Sequence, residues 1–279
     1  MRLLSQGNEE ADPRPARGLP ALVRGFLGRN ERPSKYAVNI PDIALRGIGH
    51  VSPPPPNALH MREEFRAIKR HVLSHLESGK GRAGFDPRVI VVLSARPGEG
   101  KTFVALNLAL SLCISRGQGV TLIDGNILNG GLSRQFGLDS ANGLIDALDD
   151  PSADVSEFVE TSNIGNFRMM PVGYNHPDSV ELLTGARMSA LIGKFLSESP
   201  NELVVIDTPS ILSGSAALAI AAHAGQMVFV ISSNESHRGE VEECFGVLDT
   251  SVGPIDDTNI GLVLNKINPA HSIARYSAT

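Results

Sequence analysis

The chain of 279 residues contains no tryptophan and only two cysteines. Cys113 and Cys244 both lie in apolar, helix-like stretches, so they predict neither a disulfide framework nor a zinc site and are typical of a reducing cytosol. No apolar run reaches the ~18–20 residues that a membrane-spanning helix needs. The N-terminus does not resemble a secretory signal peptide, because two glutamates soon follow its Leu3 and Leu4. We therefore expect a soluble, cytoplasmic protein that reaches a membrane only through a partner.

An excess of basic residues is also missing. The chain has 25 Lys and Arg residues and 30 Asp and Glu residues. The resulting net charge of −5 argues against a general nucleic-acid binder. The charge is uneven: residues 1–60 carry eight basic and five acidic residues and nine of the 18 prolines, so the rest of the chain has a net charge of −8. Since proline removes backbone hydrogen bonds, we predict a flexible, proline-rich N-terminal arm over residues 1–57.

Between residues 58 and 268, apolar runs alternate with helical patterns, and the hydrophobic fraction of 42% suffices for a buried core. The predicted strands lie at 89–93, 120–123, 167–172, 203–206, 227–231 and 260–264. The predicted helices lie at 61–77, 102–115, 179–183, 187–197, 215–223 and 238–248. Because the strands are apolar on both faces and helices separate them, we expect an α/β fold of three layers, with a mostly parallel sheet flanked by helices. A short C-terminal tail, residues 269–279, follows.

A phosphate-binding loop is predicted between the first of these strands and the next helix. Residues 94–102 read Ser-Ala-Arg-Pro-Gly-Glu-Gly-Lys-Thr. Gly98 and Gly100 allow backbone N–H groups to converge on phosphate oxygens, and the start of the helix adds partial positive charge. Lys101 supplies a positive charge to the terminal phosphates, and the Thr102 hydroxyl ligates Mg²⁺. Ala95 stands where the full pattern has glycine, and the alternative interpretation is an ordinary glycine turn.

Two carboxylates follow predicted strands at the same edge of the sheet. Asp124 comes directly after residues 120–123, and Asp207 comes directly after residues 203–206. In an open parallel sheet, ligands bind at the carboxyl ends of the strands. An acid there can hold Mg²⁺, directly or through water, or accept a proton from an attacking hydroxyl. The alternative is that each acid only caps the following turn, and Asp207-Thr208-Pro209 is a sequence typical of turns.

Together these motifs resemble those of the bacterial tyrosine kinases (BY-kinases) of capsule and exopolysaccharide synthesis, which are P-loop proteins related to the MinD and ParA ATPases. The resemblance covers roughly residues 58–268 and rests on several spaced motifs. They are the loop at 94–102, Asp124-Gly125-Asn126, Glu181-Leu182-Leu183, Asp207-Thr208-Pro209-Ser210 and the closing strand at 261–266. The Glu-x-x-Arg-x-x-Lys pattern at 63–69 and the segment at 226–230 look most like the CpsD/CapB-like proteins of the exosortase-associated type.

This resemblance implies a P-loop NTPase fold and a MgATP-dependent protein-tyrosine autokinase that regulates exopolysaccharide polymerisation and export. The predicted catalytic residues are Lys101, Asp124 and Asp207, and the predicted ligands of Mg²⁺ are Thr102, Asp207 and Asp124. Asn265 matches the position that reads adenine in such ATPases. The predicted contacts of the nucleotide are Pro97, Gly98, Glu99, Gly100, Lys101, Thr102, Phe103 and Asn265.

The resemblance also implies partners. In the family, the helix that carries Glu63, Arg66 and Lys69 pairs subunits into a ring; the alternative is an exposed charged face stabilised within the helix. Tyr276, in the tail of a neighbouring subunit, is the implied phosphoacceptor. A separately encoded membrane activator that resembles the chain-length-determinant proteins would hold the kinase at the inner membrane, as a peripheral protein.

Three departures from the family pattern keep a second function open. Asn126 replaces the second acid of Asp-x-Asp, so it can orient water or metal but cannot act as a base. Leu128 replaces a basic residue, and the tail holds a single tyrosine. The alternative function is therefore a nucleotide-dependent assembly switch of a polysaccharide export complex, without tyrosine transfer. A ParA-like partitioning ATPase would bind DNA, which the net charge of −8 disfavours.

Overall fold

The computed structural model describes residues 37–38, 58–116, 118–174 and 176–267 of the chain. Helix α1 (Ala58–Ser78) confirms the helix predicted at 61–77, and its Phe65 and Val72 are buried in a cluster shared with helix α2 (Lys101–Arg116). Most of the predicted arm lies outside the described residues. Ala37–Val38 form a two-residue strand, β1, that pairs with the sheet, and the flexible arm predicted over residues 1–57 stays a prediction.

The strands that follow β1 form a single sheet with it. They are β2 (Val89–Ser94), β3 (Val120–Asp124), β4 (Glu160–Ser162), β5 (Phe167–Met170), β6 (Leu203–Asp207), β7 (Gln226–Ser232) and β8 (Ile260–Asn265). The described part of the sheet has the order β1-β4-β5-β3-β6-β2-β7-β8. Neighbouring strands are parallel except β4 and β5, which are antiparallel, so the prediction of a mostly parallel sheet is confirmed.

Helices cover both faces of this sheet. The remaining helices are α3 (Gly131–Gln135), α4 (Leu144–Asp149), α5 (Ser179–Thr184), α6 (Ala186–Glu198), α7 (Ala216–Ala221) and α8 (Arg238–Val252), with short 3₁₀ turns at Val155–Phe158 and Ile211–Ser213. Successive residues of β2 alternate between two buried clusters: Ile90 packs with α1 and α2, whereas Val91 packs with α4 to α8. This alternation places β2 in the middle of three layers, as predicted. Among the described residues, no helix combines the length and the hydrophobicity needed to span a bilayer.

Short elements are where the structure differs from the sequence prediction. Helices α3 and α4 are five and six residues long and β4 is three residues long, so none of them holds a full hydrophobic period. The strand predicted at 167–172 ends at Met170, because Pro171 has no N–H to donate to the sheet. Of these elements, α3 and α4 contribute residues to the site described below.

A glycine substitution tests the close approach between Gly225, directly before β7, and Asp86, in the segment before β2. A Cβ atom on Gly225 would lie 1.9 Å from the backbone oxygen of Asp86, and the Gly225 N–H donates to the Val89 carbonyl at 3.0 Å. We expect Gly225→Ala to lower the free energy of unfolding by about 2–4 kcal/mol, because backbone must shift to make room. Urea unfolding measures the change.

Gly246 is the matched control, because it lies inside α8 with nothing within 4 Å of its added Cβ. Gly246→Ala should raise the free energy of unfolding by about 0.5–1 kcal/mol, since alanine loses less backbone entropy in a helix. Equal effects of the two substitutions would contradict this account of the packing.

Candidate nucleotide-binding site

The phosphate loop, residues 95–100, joins β2 to α2 at the carboxyl edge of the sheet. Every residue of β2 is buried, and α2 begins at Lys101, which confirms the predicted strand–turn–helix context. Gly98 and Gly100 have φ values of 85° and 101°. Residues with a Cβ atom rarely adopt this left-handed region, so the chain turns back here because both positions are glycine.

The loop forms one wall of a cavity of about 420 Å³. Across from the loop, the cavity is lined by Asn126, Leu128 and Asn129 from the segment between β3 and α3, and by Pro209 and Ser210 after β6. Phe103, which is partly exposed, contributes from the first turn of α2. A second cavity of about 280 Å³ adjoins the first and shares Leu128 and Asn129 with it. The phosphate loop therefore faces an open space whose opposite wall is formed by residues that follow β3 and β6.

Lys101 lies inside the loop rather than in solvent. Its side chain is 6% exposed, and its Nζ donates to Ser94 Oγ at 2.9 Å and to the Arg96 carbonyl at 3.4 Å. Burial lowers the pKa of this ammonium group, while the nearby Asp207 and Glu99 carboxylates oppose that shift. The structure thus places one positive charge at the base of the cavity.

Thr102 and Asp207 form the metal side of the site. The Thr102 hydroxyl donates to Asp207 Oδ2 at 2.7 Å. Asp207 Oδ1 is buried and has no hydrogen-bond partner among the described residues, and the same is true of Asn126 Oδ1, which belongs to the cavity wall. Buried oxygen atoms without a partner are costly, and hard oxygen atoms are the ligands that Mg²⁺ prefers. The donor set therefore fits Mg²⁺.

The metal would need the nucleotide as well. Among the described residues, no group of three or more His, Cys, Asp or Glu side chains is suited to hold a metal ion. Mg²⁺ commonly binds through one or two protein oxygens together with substrate phosphates and water. Thr102, Asp207 and Asn126 supply such a partial set.

Burial raises the pKa of Asp207 to about 7; the charge of Asp124 adds to this shift, whereas the Thr102 hydroxyl and Lys101 oppose it. The two acids end neighbouring strands, since Asp124 on β3 pairs in register with Asp207 on β6. The predicted convergence of the two carboxylates at one edge of the sheet is confirmed.

The contacts of Asp124 favour a positioning role. Its carboxylate is fully buried and accepts hydrogen bonds from the Ser133 N–H at 2.8 Å, the Ser133 hydroxyl at 2.7 Å and the Asn126 N–H at 3.1 Å. The Ser133 hydroxyl in turn accepts a hydrogen bond from the Val172 N–H at 2.9 Å. Desolvation raises the pKa of Asp124, and these donors oppose the shift. Asp124 therefore holds the segment that carries Asn126, while its predicted role as base or metal ligand stays a prediction.

Glu99 and Asn265, both predicted to contact the nucleotide, lie on the back of the loop. The Glu99 side chain is fully buried; it accepts hydrogen bonds from the Arg96 N–H at 2.8 Å and from the Ser236 hydroxyl. The Asn265 side-chain amide donates to the Glu99 carbonyl at 2.9 Å. Asn265 thus contacts the loop backbone, and the Glu99 side chain points into the protein.

Comparison with known proteins identifies relatives of this site and fold. No family model matches the chain. The tyrosine-protein kinase CpsD of Streptococcus agalactiae is 28% identical over 217 residues, which cover 77% of this chain and 86% of CpsD. The tyrosine-protein kinase wzc of Salmonella typhimurium is 31% identical over 182 residues, which cover 64% of this chain and 24% of wzc.

A solved structure agrees with these relatives. The kinase domain of the Escherichia coli tyrosine kinase ETK matches with a TM-score of 0.65 at 25% identity, over 80% of this chain and 81% of that one. In sequence and fold the chain is similar to these bacterial tyrosine-kinase domains. The resemblance drawn from the motifs and the expected P-loop fold are therefore confirmed. The chain spans about a quarter of the length of the first curated relatives that it matches.

The residues predicted to pair subunits lie on α1. Arg66 Nη1 and Glu63 Oε1 are 2.6 Å apart, and both side chains are more than half exposed. An ion pair within one helix is what the alternative interpretation expects, and it leaves ring formation a prediction. Lys69 lies one turn further along the same helix. Tyr276, the predicted phosphoacceptor, lies outside the described residues.

Three contacts of the site were not predicted from the sequence. Ser133 holds Asp124, Ser236 holds Glu99, and Glu240 on α8 forms an ion pair with Arg96 of the loop. Ser133 lies nine residues beyond its partner, Ser236 lies 137 residues beyond, and Glu240 lies 144 residues beyond. Serine and glutamate are common in exposed turns, and no local pattern predicted these three contacts.

The pKa of Asp207 leads to a stability prediction for the nucleotide-free protein. Because the folded pKa of about 7 exceeds the unfolded value, the folded state loses stability as the pH rises from about 4 through 7. Asp207→Asn removes this charge and keeps a carbonyl oxygen for the Thr102 hydroxyl. Its stabilising effect at pH 8 should exceed that at pH 5 by about 2 kcal/mol, roughly 4–8 °C in melting temperature.

Thermal unfolding at the two pH values measures the effect. Asp149→Asn, at an exposed residue that ends α4, is the control and should change the melting temperature little at either pH. A shift from Asp207→Asn that is the same at pH 5 and pH 8 would contradict the burial of an ionisable carboxylate at this position.

Proposed function

We propose that this chain is a MgATP-dependent protein-tyrosine kinase domain that regulates the polymerisation and export of an exopolysaccharide or capsule. One observation carries the proposal: next to a phosphate loop that ends in Lys101 and Thr102, the Thr102 hydroxyl bonds Asp207 and leaves a second, buried Asp207 oxygen without a partner. The names of the homologous chains support tyrosine as the acceptor.

In this proposal each group acts on the triphosphate at the cavity wall. The N–H groups of residues 98–102 donate to phosphate oxygens, and the positive start of α2 favours their charge. Lys101 neutralises charge that develops on the transferred phosphoryl group. Thr102 and Asp207, with Asn126 beside them, would hold Mg²⁺, which supplies further stabilisation of phosphate charge. The tyrosine oxygen forms the new bond to phosphorus as the bond to the ADP oxygen breaks, and the phenolic proton passes to a phosphate oxygen or to water.

The acceptor would reach the phosphate from the side of the second cavity. That cavity adjoins the phosphate cavity at Leu128 and Asn129, so a side chain that enters there can lie next to the terminal phosphate. Because transfer of a phosphoryl group proceeds through a loose transition state, it depends more on positioning than on a strong base. The carboxylate of Asp124 already accepts hydrogen bonds from Ser133, and such a mechanism does not require it as a base.

The partners of the domain belong to the same proposal. A membrane protein of the chain-length-determinant type would activate the kinase and hold it at the inner membrane. A ring formed through Glu63, Arg66 and Lys69 of α1 would bring the tail of one subunit, with Tyr276, to the cavity of the next.

The second candidate is a nucleotide-dependent assembly switch that binds or hydrolyses ATP without tyrosine transfer. Asn126 favours it, because a neutral amide at the cavity wall brings no charge to Mg²⁺ and cannot accept the tyrosine proton.

The described residues include one tyrosine, Tyr174, which is exposed beside the second cavity. It serves below as the comparison for Tyr276, the proposed phosphoacceptor.

Lys101→Met tests the kinase directly. Without the ammonium group, the purified protein should lose nearly all phosphotyrosine after incubation with MgATP and a cytoplasmic fragment of the activator, measured by immunoblot. Lys194→Met, at an exposed lysine of α6, is the matched control and should keep the signal. Tyr276→Phe should remove the signal, whereas Tyr174→Phe should not.

The result separates the two functions. Phosphotyrosine that persists in Lys101→Met would contradict the proposed site. ATP hydrolysis by the wild-type protein with no phosphotyrosine, with or without the activator fragment, would favour the assembly switch.

A further inference from the structure

The end of β8 lies directly against the backbone of the phosphate loop. Asn265 is the last residue of β8, and its side-chain amide donates to the Glu99 carbonyl at 2.9 Å. A Cβ atom on Gly100 would lie 2.0 Å from the same Asn265 nitrogen. The amide therefore occupies the space beside Gly100 and holds the peptide group that joins Glu99 to Gly100.

A strained residue, Lys266, directly follows Asn265. Lys266 has a φ of 57°, and no other non-glycine residue in the described part of the chain has a positive φ. This conformation costs about 1–2 kcal/mol and persists only where the surrounding structure holds it. The Lys266 carbonyl accepts hydrogen bonds from the Ser233 hydroxyl at 2.7 Å and the Asn234 amide at 3.1 Å, and the Ser233 N–H donates to the Asn265 carbonyl at 2.9 Å. These bonds fix the turn that presents Asn265 to the loop.

The carboxylate of Glu99 is held from the same region. It accepts hydrogen bonds from the Arg96 N–H and from the Ser236 hydroxyl, whose oxygen also accepts a hydrogen bond from the Ser232 N–H at 2.8 Å. The backbone and the side chain of Glu99 are thus both tied to residues at the ends of β7 and β8. Since the N–H groups of Glu99 and Gly100 belong to the predicted phosphate cradle, these ties set where those groups point.

Asn265 has two polar atoms, and the loop uses one of them. The Nδ2 group donates to Glu99, which leaves Oδ1 to accept a hydrogen bond from the amino group of a base. A role limited to reading the base would not require the contact with the loop. The observed contact instead joins Asn265 to the backbone of the phosphate loop.

We propose that Asn265 is a positioning residue for the phosphate loop, so that its amide strengthens the binding of the polyphosphate itself and not only that of adenine. This inference rests on the proposed binding of a nucleotide at the loop. Loss of one hydrogen bond to the loop backbone should weaken polyphosphate binding about three- to tenfold.

Calorimetric titration with two ligands tests the inference. Mg²⁺-tripolyphosphate has no base, whereas MgADP has one, and both are titrated into the wild-type full chain and into Asn265→Ala. We expect Asn265→Ala to raise the dissociation constants of both ligands, that of tripolyphosphate about three- to tenfold and that of ADP by at least as much. Asn201→Ala, in an exposed turn before β6, is the matched control and should change neither constant.

Thermal unfolding of the ligand-free wild-type protein and variants checks that each one is folded. If Asn265→Ala does not fold, Asn265→Ser serves as a second variant. An unchanged tripolyphosphate constant together with a weakened ADP constant, or two unchanged constants, would overturn the inference and leave the proposed function intact. Wild-type protein that binds neither ligand would overturn the proposed function and this inference with it.

Discussion

The backward turn of the chain at Gly98 and Gly100 is the constraint on which the rest of the site depends. Strand β2 is buried along its whole length, so the position from which the loop starts is fixed by the core. The left-handed conformations of both glycines then return the chain into α2, whose first residues are Lys101 and Thr102. The loop N–H groups, Lys101 and Thr102 are all placed by this turn, and Asp207 meets them through its hydrogen bond with Thr102.

Several ionisable groups are buried around the loop, at a cost in stability that a binding function explains. Glu99, Asp124 and Asp207 are fully buried and Lys101 is almost so. A buried charge is costly unless it is paired or hydrogen-bonded. Glu99 and Asp124 are satisfied by neighbouring N–H and hydroxyl groups, whereas Asp207 keeps one oxygen without a partner. This unpartnered Asp207 oxygen lies where Mg²⁺ and phosphate would supply the missing interactions, which is typical of a binding site.

The sequence predicted those parts of the molecule whose cause is local. The apolar run before the loop, the glycines within it and the acids that end β3 and β6 are each readable over a few residues, and β2, α2, Asp124 and Asp207 were found in this way. The contacts of Ser236 with Glu99 and of Asn265 with the loop join residues more than 130 positions apart, so only the packed sheet brings them together. The left-handed turn at Lys266 was equally hidden, because lysine carries no signal for a positive φ.

The central claim is that backbone N–H groups, the Lys101 ammonium and a Mg²⁺ ion held by Thr102 and Asp207 together bind a triphosphate. Calorimetric titration of the folded wild-type chain with ATP and ADP, each with Mg²⁺ and with EDTA, tests this claim most directly. The account predicts binding of both nucleotides that is at least about tenfold tighter with Mg²⁺ than without it, a difference of about 1.4 kcal/mol. Absence of binding, or an affinity that does not depend on Mg²⁺, would contradict it.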